Sequence, residues 1–170
     1  MAKLRVGVKT DLKNYKDYFD RFAKDSGEKI MEIHLLEKDL NLNFEIKLVE
    51  LRLFFLSRGI EHIALHTPDW MMQQILFEEE EYQKYSEMFN ILITGIKKFS
   101  NEVKKEVILV VHQGGMYSRD FLGKMSSEEL RTFRNNKLEK AKESYHKLKE
   151  QFNGSYVTVA LENSPPNSGS

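Results

Sequence analysis

The sequence predicts an α/β fold of about five parallel strands and four helices, and three observations carry that prediction. Five short apolar runs recur along the chain, longer stretches with helical spacing separate them, and glycines fall between a helix and the next strand. The resulting order, β-α-β-α-β-α-β-α-β, implies parallel pairing, because a strand re-enters a sheet in the same direction only after a long crossover.

The elements follow in order. Leu4–Lys9 (LRVGVK) reads as the first strand and Tyr15–Lys24 as a short first helix. Ile30–Leu36 (IMEIHLL) is the second strand, followed by a helix over Phe44–Ser57. The third strand is Ile60–His66 (IEHIALH). Tyr82, Tyr85, Met88, Phe89, Leu92, Ile96 and Phe99 then recur at intervals of three and four, the apolar face of a third helix. Val107–His112 (VILVVH) is apolar at five consecutive positions and β-branched at four, the mark of a strand covered on both faces. Ser126 and Glu129 form a capping box ahead of a fourth helix, with Leu130, Phe133, Leu138, Ala141, Tyr145, Leu148 and Phe152 on its apolar side. Tyr156–Glu162 (YVTVALE) is the fifth strand. Gly27, Gly59 and Gly154 mark helix ends, where a left-handed backbone favours glycine.

Composition excludes several classes. The 170 residues suffice for one domain with a real core. Lys plus Arg and Asp plus Glu both number 26, so no bulk basic character points to nucleic acid. Cysteine is absent, which removes disulfides and thiolate metal sites and leaves His and carboxylates as the available ligands. The start, Met1-Ala2-Lys3-Leu4-Arg5-Val6, lacks a signal peptide's apolar region, and no apolar run spans a membrane. A soluble, cytoplasmic protein without a membrane partner is expected.

Two architectures suit the element order: a doubly wound open sheet, or part of a (β/α)8 barrel. The turn Lys9-Thr10-Asp11-Leu12 has no glycine, and neither a G-x-G-x-x-G nor a Walker A loop occurs, so a nucleotide-binding sheet loses its usual support. In a barrel, functional side chains sit where strands end. Strand three ends His66-Thr67-Pro68, strand four His112-Gln113-Gly114-Gly115, and strand five Leu161-Glu162-Asn163-Ser164-Pro165. Parallel strand ends open on one side, so two imidazoles and a carboxylate converge there, a donor set for a hard-to-borderline divalent metal. A single strand-end His is ordinarily an edge residue bonded to backbone; three successive ends with ionisable groups point to a site.

These motifs resemble the xylose-isomerase-like barrels, a superfamily that includes sugar phosphate isomerases/epimerases and the endonuclease IV group. The resemblance runs from Val6 to Pro166 in strand order and spacing. It implies a partial (β/α)8 TIM barrel that uses a divalent metal (zinc, manganese or magnesium). In the endonuclease IV branch, the positions like His66, His112 and Glu162 are zinc ligands. In the epimerase branch, the position like Glu162 is both metal ligand and acid/base carboxylate, while those like His66 and His112 more often line the substrate pocket. Asn163 and Trp70 join them as expected substrate-binding residues. The run Asp69-Trp70-Met71-Met72-Gln73 lacks the Tyr and Asn typical of endonuclease IV, and Glu162-Asn163-Ser164-Pro165 looks more like the isomerase side. The expected partner is therefore a sugar or sugar phosphate. The alternatives are a zinc phosphodiesterase acting on abasic DNA, and a non-catalytic half-barrel serving binding or assembly.

The tail Ser164–Ser170 is rich in breakers, so residues 1–170 are expected to form one domain, the N-terminal portion of such a barrel cut after strand five. A whole barrel takes roughly 200 to 250 residues or more. The chain alone is then expected to lack activity, and its bare strand edges invite a homodimer. Other candidates rank lower. His34, near the end of strand two, could face the pocket but is expected first to face core or solvent; His62 is expected to share the side of His66 but lie deeper, and His146 to be a surface residue. Glu78–Glu81 suits the positive end of a helix. Trp70, Met71 and Met72 either wall a pocket or fill a gap, and the loop Gln113–Met125, with Tyr117, Arg119 and Phe121, is a candidate lid.

Overall fold

The computed structural model describes residues 8–26, 29–68, 79–112 and 119–162. The strands are β1 (Val8–Asp11), β2 (Ile30–His34), β3 (His62–His66), β4 (Val107–His112) and β5 (Val157–Glu162). Between them run α1 (Tyr15–Ser26), α2 (Phe44–Ser57), α3 (Glu79–Val103), the single turn α4 (Arg119–Leu122) and α5 (Ser127–Gln151), with a 3₁₀ turn at Glu37–Asp39. Among the described residues no helix is long and apolar enough to cross a membrane.

All pairings are parallel, and the strand order is β1-β2-β3-β4-β5. That order separates the two architectures the sequence left open. A doubly wound sheet reverses direction at a switch point; here each strand simply adds beyond the last. Because β-α-β crossovers are right-handed, an order without reversal places every helix on the same face, as in a (β/α)8 barrel wall.

Burial follows from this one-sided cover. Met31, Ile33, Ile63, Leu65, Val107 and Leu109 are fully buried beneath the helices, while the alternate residues Ile30, Glu32, His34, Ala64, Ile108 and Val110 are only half-buried. The helix layer closes through Tyr15 and Phe19, which set their rings edge-on to Phe54 at 5.1 and 5.6 Å. Between α2 and α3 the packing is closer still: a Cβ added at Gly95 would lie 2.9 Å from Phe44 Cε1 and 3.0 Å from Leu48 Cδ1.

Several boundaries differ from the sequence reading. β1 runs through Thr10 and Asp11, which their polarity had marked as turn; Leu4–Gly7 lies outside the described residues. Thr10 is buried, and the Asp11 carboxylate accepts the backbone N–H groups of Lys13 and Asn14, both at 2.8 Å, so it organises the turn that follows the strand. Part of the candidate lid is helical, as α4, with Phe121 set edge-on to Phe133 at 5.7 Å. The Ser126–Glu129 capping box is present in both directions, and Gly59 and Gly154 take left-handed backbone (φ 61° and 75°) after α2 and α5. Gly27 lies outside the described residues.

Candidate functional site

Period-two alternation puts Lys9 and Asp11, Glu32 and His34, His62, Ala64 and His66, Ile108 and Val110, and Thr158, Ala160 and Glu162 on the helix-free face. The register aligns Asp11, His34, His66, Val110 and Ala160 in one row, with His112 and Glu162 paired one step beyond. This is the C-terminal rim of the sheet.

His66 is the centre of the rim. It is 3% exposed although it stands on the open face, because its neighbours cover it. Its backbone is fixed on both sides: Leu35 N–H donates to the His66 carbonyl at 2.9 Å, and Thr67 N–H donates to the Val110 carbonyl at 3.0 Å. Nδ1 lies 3.0 Å from the Thr67 carbonyl oxygen and Nε2 lies 2.7 Å from Glu162 Oε2. With hydrogen on Nδ1 the ring donates to the Thr67 carbonyl and turns Nε2 toward the Glu162 carboxylate. His34 completes the group, its ring edge-on to that of His66 at 4.7 Å.

The flanking carboxylates are committed elsewhere. Glu32 pairs with Lys9 at 2.9 Å. Burial pushes the Asp11 carboxyl up, but the amides of Asn14 and Lys13, the Asn14 side chain and the Lys38 charge together hold it below the usual carboxylate value. Behind the rim, Asp39 accepts the Leu36 N–H at 3.0 Å and the Lys47 ammonium at 2.8 Å, which anchors the segment leaving β2.

An imidazole and a carboxylate are donor types that a borderline divalent cation takes. A backbone carbonyl holding Nδ1 turns Nε2 outward, the arrangement that commonly orients a metal-binding imidazole, and Nε2 meets a carboxylate oxygen. Among the described residues no three His, Asp or Glu side chains stand together as a metal-binding group. His112 ends β4 in register with Glu162, but its side chain is outside the described residues.

Of the residues expected from sequence, His66 and Glu162 are therefore brought together. Trp70, Asn163, Met71, Met72 and Tyr117 lie outside the described residues. His62 shares the face of His66 at the opposite end of the strand, and His146 is exposed on α5. His34, ranked below the strand-end residues with the pocket as one of its possible places, stands on the helix-free face beside His66. The signal was present in Ile30–His34, since buried Met31 and Ile33 fix the phase that turns His34 to the other side. No protein-family model matches this chain, and neither a curated protein nor a solved structure does.

Proposed function

We propose that the chain is a divalent-metal-binding barrel unit of the xylose-isomerase-like kind, whose rim serves sugar or sugar phosphate isomerisation or epimerisation. The observation that supports this most is the His66–Glu162 contact at 2.7 Å on the helix-free face, at the C-terminal strand ends. His66, Glu162 and His112 would hold the cation. When bound, such an ion polarises a sugar carbonyl and acidifies the adjacent C–H. Glu162, about half exposed, is the carboxylate able to take that proton and return it. His66, locked by the Thr67 carbonyl, orients the carboxylate, and His34 packs the imidazole from the side.

Proton return to a different carbon or face calls for a second group. Among the described residues of the rim, Glu32 and Asp11 are engaged elsewhere, so neither is free to serve as that group. A zinc phosphodiesterase acting on abasic DNA is the second reading, favoured by the two imidazoles at the rim. The balance of 26 basic and 26 acidic residues weighs against a phosphate-tracking surface.

Titration of the purified chain with zinc and with manganese tests the proposal. One ion per chain, bound at least about tenfold more weakly by Glu162→Gln or His112→Ala, is the expected result. No binding by the wild-type chain sinks it. Adding keto-sugars or an abasic duplex to the loaded chain then separates the two readings by which one binds.

A further inference from the structure

α2 carries apolar residues at nine of its fourteen positions, on every side. Phe44, Leu48, Leu51, Phe54 and Phe55 are buried against the sheet and neighbouring helices. The opposite side is apolar too: Ile46, Val49, Leu53 and Leu56 are 59%, 37%, 58% and 51% exposed, and Leu42, one turn ahead, is 90% exposed. A helix apolar all round is ordinarily a buried helix. The spacing 42, 46, 49, 53, 56 alternates four and three residues, the seam with which one helix packs along another.

The charges beside this stripe do not cover it. Glu45 pairs with Lys98 at 3.0 Å and Arg52 with Glu102 at 2.6 Å, both drawn toward α3, while Lys47 is drawn to Asp39. The stripe lies mid-layer, on the helix linking β2 to β3. A strand that extends the sheet adds at β1 or β5 and brings its own helix there, not over α2.

We infer that the outer face of α2 is the interface of a homodimer, in which the Leu42–Leu56 stripe of one copy packs against the same stripe of a second copy. Two features select a second copy as the occupant. Among the described helices, α2 itself is the one that presents an exposed seam of this spacing, so a two-fold pairing matches like with like. The five exposed residues offer on the order of 500 Å² of apolar surface, near the top of what a monomer leaves bare. Two such faces remove on the order of 1,000 Å², the size at which a specific interface begins.

Sedimentation velocity on the 170-residue chain across the micromolar range tests this. The wild type should sediment as a dimer. Leu53→Glu with Leu56→Glu should weaken self-association at least about tenfold while circular dichroism stays unchanged, since both side chains are exposed. Leu138→Glu, an exposed position on α5, should leave the dimer intact. A wild type that is monomeric throughout overturns the inference. So does a dimer that survives the double substitution, which would assign pairing to the β1 or β5 edge. The chain has no cysteine, so Val49→Cys and Leu53→Cys each supply a single thiol for oxidative cross-linking. A cross-linked dimer from either supports the interface, and none from both counts against it.

Discussion

His66 and Glu162 meet across an intervening strand: Nε2 lies 2.7 Å from Oε2, although β4 runs between β3 and β5. Two strand spacings separate their backbones by about 9.5 Å, and Glu162 stands one pleat further along than the register partner of His66. Side chains on a flat sheet stand nearly parallel and would have to lean far toward each other to close that distance. A sheet curved toward its helix-free side tips them together, as in the wall of a barrel. The contact thus links the fold to the site.

The two partners should differ in what they contribute to stability. The Glu162 side chain is 45% exposed and that of His66 only 4%. Glu162→Ala removes a screened, solvent-facing partner and should cost less than about 1 kcal/mol. His66→Ala empties a buried position packed by His34 and should cost about 2 kcal/mol or more. Urea unfolding at neutral pH measures both, and the reverse order would contradict the geometry described.

Asp39 is a second point where one substitution has several consequences. It is 5% exposed and holds the Leu36 N–H and the Lys47 ammonium together. Asp39→Ala strands a backbone donor and a cation, which should cost about 1–3 kcal/mol. Asp39→Asn keeps an acceptor and should lose less. Equal losses from the two would mean that the ion pair matters and the Leu36 bond does not.

How far these features are legible in the sequence varies by kind. Phe44–Ser57 and Val107–His112 are readable to their ends, because a glycine closes the helix and a dense apolar run delimits the strand. The end of β1 is not, since Thr10 and Asp11 have turn-forming side chains and only the fold shows one buried and the other bonded beyond the strand. The rim was half legible. His66 and Glu162 announce themselves at strand ends, whereas the place of His34 depends on the register of β2 against β3. Strand order is not local information at all: the barrel was expected from the ionisable strand ends and the absence of a glycine-rich loop, and the unreversed order β1-β2-β3-β4-β5 agrees with it. The exposed seam of α2 was hidden for a related reason: its apolar residues look alike in sequence, and packing decides which are covered.

Lys104, just beyond α3, is the one non-glycine residue with positive φ (52°) among the described residues. Its N–H donates to the Ser100 carbonyl at 2.9 Å, which closes the helix end. A side chain pays a steric cost in this left-handed conformation that glycine does not. Lys104→Gly should therefore raise stability by about 0.5–1 kcal/mol, whereas the same change at half-buried Lys140, inside α5, should lower it by about 1 kcal/mol. Thermal unfolding of both variants checks the sign.

Tyr15 supplies a test of burial that uses pH alone. Its ring is 4% exposed, and the hydroxyl makes no hydrogen bond among the described residues. Burial, and to a lesser degree the Glu50 carboxylate, pushes the phenol from 10.0 up to about 12. The unfolded chain therefore releases this proton near pH 10 while the folded chain keeps it to about pH 12. Across that window the folded state binds more protons, so raising the pH destabilises it, by about 1.4 kcal/mol per unit for one group. Tyr15→Phe removes the titration and an unsatisfied hydroxyl while keeping the edge-on contact with Phe54. The variant should match or exceed wild-type stability at pH 7. It should then pull ahead as the pH climbs from 10 toward 12. Parallel stability curves for the two proteins over that range would mean that Tyr15 ionises as readily folded as unfolded, and that the layer between α1 and α2 is open to water.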